Sequence, residues 1–475
     1  MTERRGSFRT VVADPNLRRV ELAFLGFNMT EFATWIAILV YAYDRGGAAA
    51  MGAVSVILLV PSAFVAPFAA YAGDRFRRDR VLALDYLVQG IAMAVTAATL
   101  YLDAPVAWVY TTATIASISI TFTRPAQNSL LPGLTETPAD LTAANVVSGV
   151  VEGTGKMLGP IIAGILLASS GPWAVFATFA VVTLLGALLV SGLRVDVSTV
   201  TPDARIEAGD VWRETLRGFR TLRSARGPRL IVLLMSSGVI VVGALDVLFV
   251  ATAIELLDIG ASGAAFLSAA FGAGAIVGAA STVALVGRRR LTPSLAGGAV
   301  LFGAPIGLVA IAPSAVSAPV LFAAAGAGRS VGDVSGRTLL QRISPNDVLS
   351  RVFGVLEGLT MLALVIGSVG AAILIEAYGV QAALVVVGAF LPVVILLTSG
   401  RLLSIDRSAE APDTERLRLL RDISFAPLPA PAMERVLADV IPIETAAGDR
   451  LIREGDPGDL FYVIVEGRVE ITRRG

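Results

Sequence analysis

Five ionisable side chains sit deep inside long apolar runs: Glu31 in FNMTEFATWIAI, Glu152 and Lys156 in VVEGTGKMLGP, Asp246 in VVGALDVLFVA and Glu357 in GVLEG. Lys156 is the only lysine of the 475-residue chain and stands four residues after Glu152. An ammonium and a carboxylate one helical turn apart neutralise each other, which lets a polar turn be buried cheaply. The same pair also suits two kinds of chemistry, acting as a counter-charge for a solute or responding to protons. Charges inside a membrane span cost roughly 2.5–3.5 kcal/mol each on insertion scales and usually face a cavity or one another. Glu31 is the first choice for a protonatable carboxylate, with Asn28 one turn earlier as its expected hydrogen-bonding partner. Arg124 and Arg329 (the latter followed one turn on by Asp333) lie near the ends of their runs and are charge-network candidates; a structural network in which Glu31 and Asp246 partner Arg124 or Arg329 is the alternative to a transport role for those two acids.

Other chemistries find no footing. The chain has no cysteine and no histidine, so thiolate and imidazole metal sites are absent and proton chemistry falls to carboxylates or Lys156. No G-x-x-x-x-G-K-[ST] loop is present to cradle a nucleotide for primary pumping, and no catalytic constellation appears. The chain therefore reads as a non-enzyme with no metal, no tightly bound cofactor and no nucleic-acid partner.

The elements that must hold these charges are membrane helices. Hydrophobic residues make up 55% of the chain and its mean hydropathy is +0.75, above the usual 45–50% apolar share of about that in soluble proteins. Apolar runs of about 20 residues, long enough to cross a bilayer as a helix, recur at 20–43, 49–72, 81–101, 106–126, 141–168, 172–193, 229–256, 261–286, 291–312, 318–338, 349–377 and 380–402. The expected fold is all-α: twelve transmembrane helices in two pseudo-symmetric six-helix halves, 20–193 and 229–403. Arginine clusters occupy alternate loops, at GDRFRRDR, Arg194 to Arg229, GRRR and SGRTLLQRISPNDVLSR, with Arg45 the exception on the other side. The positive-inside rule then puts both termini in the cytoplasm and the chain in the inner (plasma) membrane. Residues 1–19 read as a cytoplasmic tail, and 194–228 as an inter-half loop whose Trp212, Leu216, Phe219 and Leu222 give an amphipathic helix suited to an anionic leaflet.

GVVEG at 149–153 and GVLEG at 354–358 fall at the same place in each half, which points to duplication. Duplicated halves around a central pathway are how secondary transporters are built.

On these features the chain resembles the major facilitator superfamily. AYAGDRFRRDRV is similar to the family's cytoplasmic loop signature, with Asp74, Arg75 and Arg78 at its charged positions and Ala70 and Asp79 as departures. GKMLGPIIAG resembles the fifth-helix motif of its antiporters through Gly155, Gly159, Pro160 and Gly164. FTRPAQNSLLPGLTETPADLTAANVVSG resembles the subgroup of drug- and siderophore-efflux pumps and lysophospholipid transporters. The resemblance implies proton-coupled export of a small organic or amphiphilic solute by alternating access. The alternatives are a lysophospholipid transporter and a non-transporting, nucleotide-responsive receptor.

After Arg401 the composition turns polar, with a linker at 404–421 and a last segment at 422–475. Alternating apolar positions separated by turns at Gly448, Gly455, Gly458 and Gly467 read as short strands of a partial β-barrel. The segment resembles the opening half of a cyclic nucleotide-binding domain that stops before its phosphate cassette, and truncation is the expected reason. The resemblance implies cAMP or cGMP as a regulator only where that domain is complete. The other expected partners are the lipid bilayer, the solute and protons. The working unit is expected to be one chain, with dimerisation through the C-terminal segment as the alternative.

Overall fold

The computed structural model describes residues 14–75, 77–135, 138–193, 222, 226–282, 290–344 and 346–408, with 443–446, 448, 449, 451, 462, 464 and 466–470. Two compact units divide between Glu410 and Ala411. The first unit is helical: α1 Pro15–Arg75, α2 Arg78–Tyr101, α3 Val106–Leu130, α4 Pro138–Ser169, α5 Pro172–Ser191, α6 Arg226–Ala251, α7 Gly260–Ser281, α8 Thr292–Ile311, α9 Ser317–Ile343 and α10 Asn346–Ser408. Nine helices among the described residues are long and apolar enough to cross a membrane; α9, which carries Arg329, Asp333 and Arg337, is not one of them. Prolines stand in the first turns of α5 and α8, where a missing N–H costs no hydrogen bond.

The two longest helices are broken. In α1 the helical path fails at Gly46 and Gly47, and Gly47 takes φ +59°, a left-handed conformation that a side chain disfavours. The chain then turns back on itself. Before the break, Tyr41 stacks edge-on with Tyr110 and Arg124 reaches Asn28 and Glu31; after it, the Ser117 hydroxyl meets Ser62 and the Leu58 carbonyl. The first arm thus runs antiparallel to α3 and the second runs parallel to it. In α10 the break is at Gly379, φ +81°.

The apolar core differs between the two ends of the bundle. Toward the ends away from the arginine clusters, one cluster joins both halves: Leu39, Val54 and Phe179 from the first, Leu248, Phe322 and Ala372 from the second. At the arginine-rich end the halves keep separate cores. Val20, Leu82, Ala126 and Val190 form one, Leu17 with Ala144 a small second, and Ile231, Leu295, Leu340 and Val355 the other half's own. Among the described residues the halves are thus sealed together at one end and keep separate apolar clusters at the other.

In the second unit, Gly448 and Gly467 have φ of +96° and +105°. None of its described residues is in a strand, and most positions read as strands, with Gly455 and Gly458, fall outside the described residues. The tail at 1–13, nearly all of the 194–228 loop with its expected amphipathic helix, and the linker after 408 fall outside them as well.

Candidate functional site

Four charges from three helices converge where the shared core ends. Arg124 of α3 donates from Nη2 to Glu31 Oε2 of α1 at 2.7 Å and from Nη1 to Glu152 Oε1 of α4 at 3.0 Å. Lys156 donates to the same Glu152 oxygen at 2.6 Å from one turn along α4. Two cations and two carboxylates make the cluster neutral. Its side chains are only partly covered, with Arg124 36% and Lys156 38% exposed, so the cluster faces open space and not sealed core. The flat aromatic faces of Phe27 and Phe32 lie below Arg124 and Lys156 at 5.6 Å each, within cation–π range.

Asn28 departs from its expected role. Its amide N–H goes to the Phe24 carbonyl at 2.8 Å and its Oδ1 accepts from Arg124 at 3.3 Å. A residue three positions before Glu31 points toward its own preceding turn, and the partner of Glu31 is Arg124.

The helix-five motif explains how α4 comes close enough. A methyl group at Gly155 would overlap Asn28, and one at Gly159 would overlap the Met29 backbone. These two glycines, one turn apart, let α4 lie directly on α1. A methyl group at Gly153 would meet only Ile276, at an ordinary 3.6 Å. Pro160 has no N–H for the Lys156 carbonyl, and Gly272 of α7 comes up against that carbonyl. Gly164 meets Ala265 and Phe266 of α7, so another face of the same helix joins the two halves.

The second half arranges its charges differently. Arg329 and Arg337 both bond Asp333, each at 3.1 Å and each one turn away on α9 itself. Asp246 of α6 forms no ion pair with Arg124 or Arg329, so the structural-network alternative does not hold for it; the Trp35 indole N–H of α1 approaches it without completing a hydrogen bond. Glu357 lies on α10, and its side chain is outside the described residues. The same holds for the side chains of Asp74 and Arg75 at the end of α1. In the same loop Asp79, the unexpected acid, takes a two-pronged bond from Arg77 at 2.9 and 3.3 Å. Arg78 opens α2.

At the sealed end, two carboxylates of the second half hold the first. Tyr43 donates to Glu255 at 2.5 Å, and Glu376 accepts the Ala49 backbone N–H at 3.2 Å. Ala49 is at the start of the second arm of α1, where helix N–H groups lack intrahelical partners. The sequence reading singled out neither Glu255 nor Glu376, which stand at the ends of the runs 229–256 and 349–377. It also passed over the buried carboxylates Glu21 and Asp85, and Arg337, although Arg337 precedes Pro345 by the same eight residues that separate Arg124 from Pro132.

Residues 21–323 match the Major Facilitator Superfamily profile. The chain belongs to this family. Its likeness to another member, the "Uncharacterized MFS-type transporter YfiS" of Bacillus subtilis (strain 168), is 27% identity over 358 residues, covering 71% of this chain and 81% of that protein. The nucleoside transporter NupG has the same fold at TM-score 0.65 and 13% identity, covering 82% of this chain and 99% of that one. A POT family transporter in complex with a thioalcohol-conjugated peptide also scores 0.65, at 12% identity over 81% of this chain and 96% of that one. The human organic anion transporter MFSD10 follows at 0.58 and 17%, with 81% and 99% covered. A further, short likeness joins the chain to the cAMP-dependent protein kinase regulatory subunit of Dictyostelium discoideum: 43% identity over 61 residues, 12% of this chain and 16% of that protein. As a superfamily member this is a multi-pass membrane protein of the transporter type, placed in a lipid bilayer and carrying small substrates.

Proposed function

We propose that this superfamily member is a proton-coupled exporter of a small organic or amphiphilic solute, working by alternating access. The observation that carries the reading is the Arg124 cluster: a neutral, partly exposed set of charges joining three helices where the shared core stops. Such a cluster can exchange one of its internal partners for a charged solute without leaving a buried charge uncompensated. Sealing at one end and separate cores at the other support a resting state open on the arginine-rich side. By the loop arginines that side is the cytoplasm, with both termini there and the chain in the inner membrane.

The twelve-span count rests on ten helices of which α1 and α10 each break at glycine. At about 1.5 Å per residue, 61 and 63 residues are each roughly three times the length that crosses a bilayer, enough for two spans and their connection. Export, and kinship with efflux pumps and lysophospholipid transporters, rest on the helix-five motif and on residues 122–149. The fold does not select the solute, since neighbours of equal TM-score are a nucleoside transporter and a peptide-bound transporter. Cyclic nucleotide control by the 422–475 segment rests on its turn glycines and on the short likeness to the kinase regulatory subunit. A bound nucleotide biases the cycle only as far as it prefers one conformation.

The test is flux of a solute panel in proteoliposomes with and without an imposed pH gradient. The reading predicts gradient-driven accumulation that Arg124→Gln abolishes. Accumulation indifferent to the gradient, or unchanged in Arg124→Gln, contradicts it.

A further inference from the structure

Asp85 of α2 is 6% exposed and no ion pair reaches it among the described residues. Its carboxylate is held by two hydroxyls of α3 one turn apart. Ser119 Oγ donates to Oδ1 and Thr123 Oγ1 to Oδ2, both at 2.6 Å, and Ser119 also reaches the Asp85 carbonyl at 3.1 Å. Gln89, one turn further along α2, is fully buried and neither atom of its amide is hydrogen-bonded. Side chains on a helix lean toward its N-terminus, which brings the Gln89 amide over the turn that carries Asp85.

Among the described residues, other charged and titratable groups near Asp85 are few. From α1 comes Glu21, 6% exposed, which accepts from Ser148 through one oxygen and has no partner on the other. From α3 comes Arg124, committed to Glu31 and Glu152. On α2 itself Tyr86 is buried with its hydroxyl unpartnered, within electrostatic reach of both Asp85 and Glu21. The α5 helix, PWAVFATFAVVTLLGALLVS, brings no ionisable side chain.

Hydroxyls suit a carboxyl that changes state. A serine or threonine O–H donates to a carboxylate and, after rotation, accepts from a carboxylic acid, whereas a guanidinium can only donate. Glu31 and Glu152 are tied to permanent cations; Asp85 is tied to groups that serve either form. We propose that Asp85 is the proton-carrying residue of the transport cycle, its O–H bond forming with a proton from a hydronium ion on one side of the membrane in one conformation and breaking in the other. The proton then passes to water on the opposite side and the carboxylate is restored. This rests on the proton-coupled reading above and specifies the carboxyl that does the coupling.

The test is infrared difference spectroscopy of the purified full chain in lipid, between acid and alkaline pH, following the protonated-carboxyl C=O stretch. Wild type is expected to show a titrating band that Asp85→Asn removes and that Glu31→Gln, Glu152→Gln and Glu21→Gln keep. Thr123→Val, which leaves the carboxyl in place, is expected to move the band's midpoint by on the order of one pH unit, and serves if Asp85→Asn fails to fold. A band that survives in Asp85→Asn, that disappears in Glu21→Gln or Glu31→Gln, or that follows sodium and not pH overturns the assignment. Gradient-driven flux separates the two failures. Flux that persists in Asp85→Asn overturns Asp85 alone, whereas wild-type flux blind to the gradient overturns the proton-coupled reading and this role with it.

Discussion

The two halves solve one problem in opposite ways. In the first, Arg124 ties α1, α3 and α4 together through Glu31 and Glu152. In the second, Arg329 and Arg337 share Asp333 on a single helix, and Asp246 is left facing a tryptophan of the other half. Charges joined between helices resist their separation; charges joined along one helix leave helix positions unconstrained. Both halves nevertheless use the same backbone device. Gly159 lets α4 lie on Met29 of α1, and Gly243 with Gly367 lets α6 and α10 cross at Leu364 and Ile240. Among the described residues the two halves thus share the close helix crossing and differ in how these charges are joined.

Substitutions can break this comparison, and the largest effect belongs to Arg124→Gln. It leaves two partly buried carboxylates without their guanidinium, and a loss of about 2–4 kcal/mol is expected, reduced from a fully buried pair because a third of the cluster is exposed. Thermal unfolding in detergent reads it. Next come Gly159→Ala and Gly243→Ala, each driving a methyl into the backbone of the crossing helix. Each is expected to cost about 1–3 kcal/mol, and similar values in the two halves would sharpen the claim of shared packing. Smaller again is Glu376→Ala, which removes the acceptor for Ala49 at the sealed end at about 0.5–1.5 kcal/mol. Because the chain has no native cysteine, cysteines introduced at the two ends report its second expected effect, greater labelling at the arginine-poor end.

Much of this was legible from residue order alone. Apolar runs of span length and the family motifs carried the helical membrane class and the family. Glu152 and Lys156 four positions apart announced their own pairing, because the contact is local. What residue order hid is long-range. The bond from Arg124 to Glu31 joins residues 93 positions apart, and nothing near Arg124 says which acid it will meet. Asp85 and Glu21 escaped notice for another reason: both stand within a turn or two of a charged helix start, where an acid looks solvated. The usable signal was Gln89 one turn after Asp85, since two polar side chains on one face of an otherwise apolar helix need a buried polar partner.

The asymmetry between the halves is tested most directly by two double-mutant cycles on unfolding free energy in detergent, Glu31→Gln with Arg124→Gln and Arg329→Gln with Asp333→Asn. The account predicts a coupling of at least about 1 kcal/mol for the inter-helix pair and about 0.3–0.5 kcal/mol for the pair along α9. Equal couplings, or a larger one along α9, would contradict it.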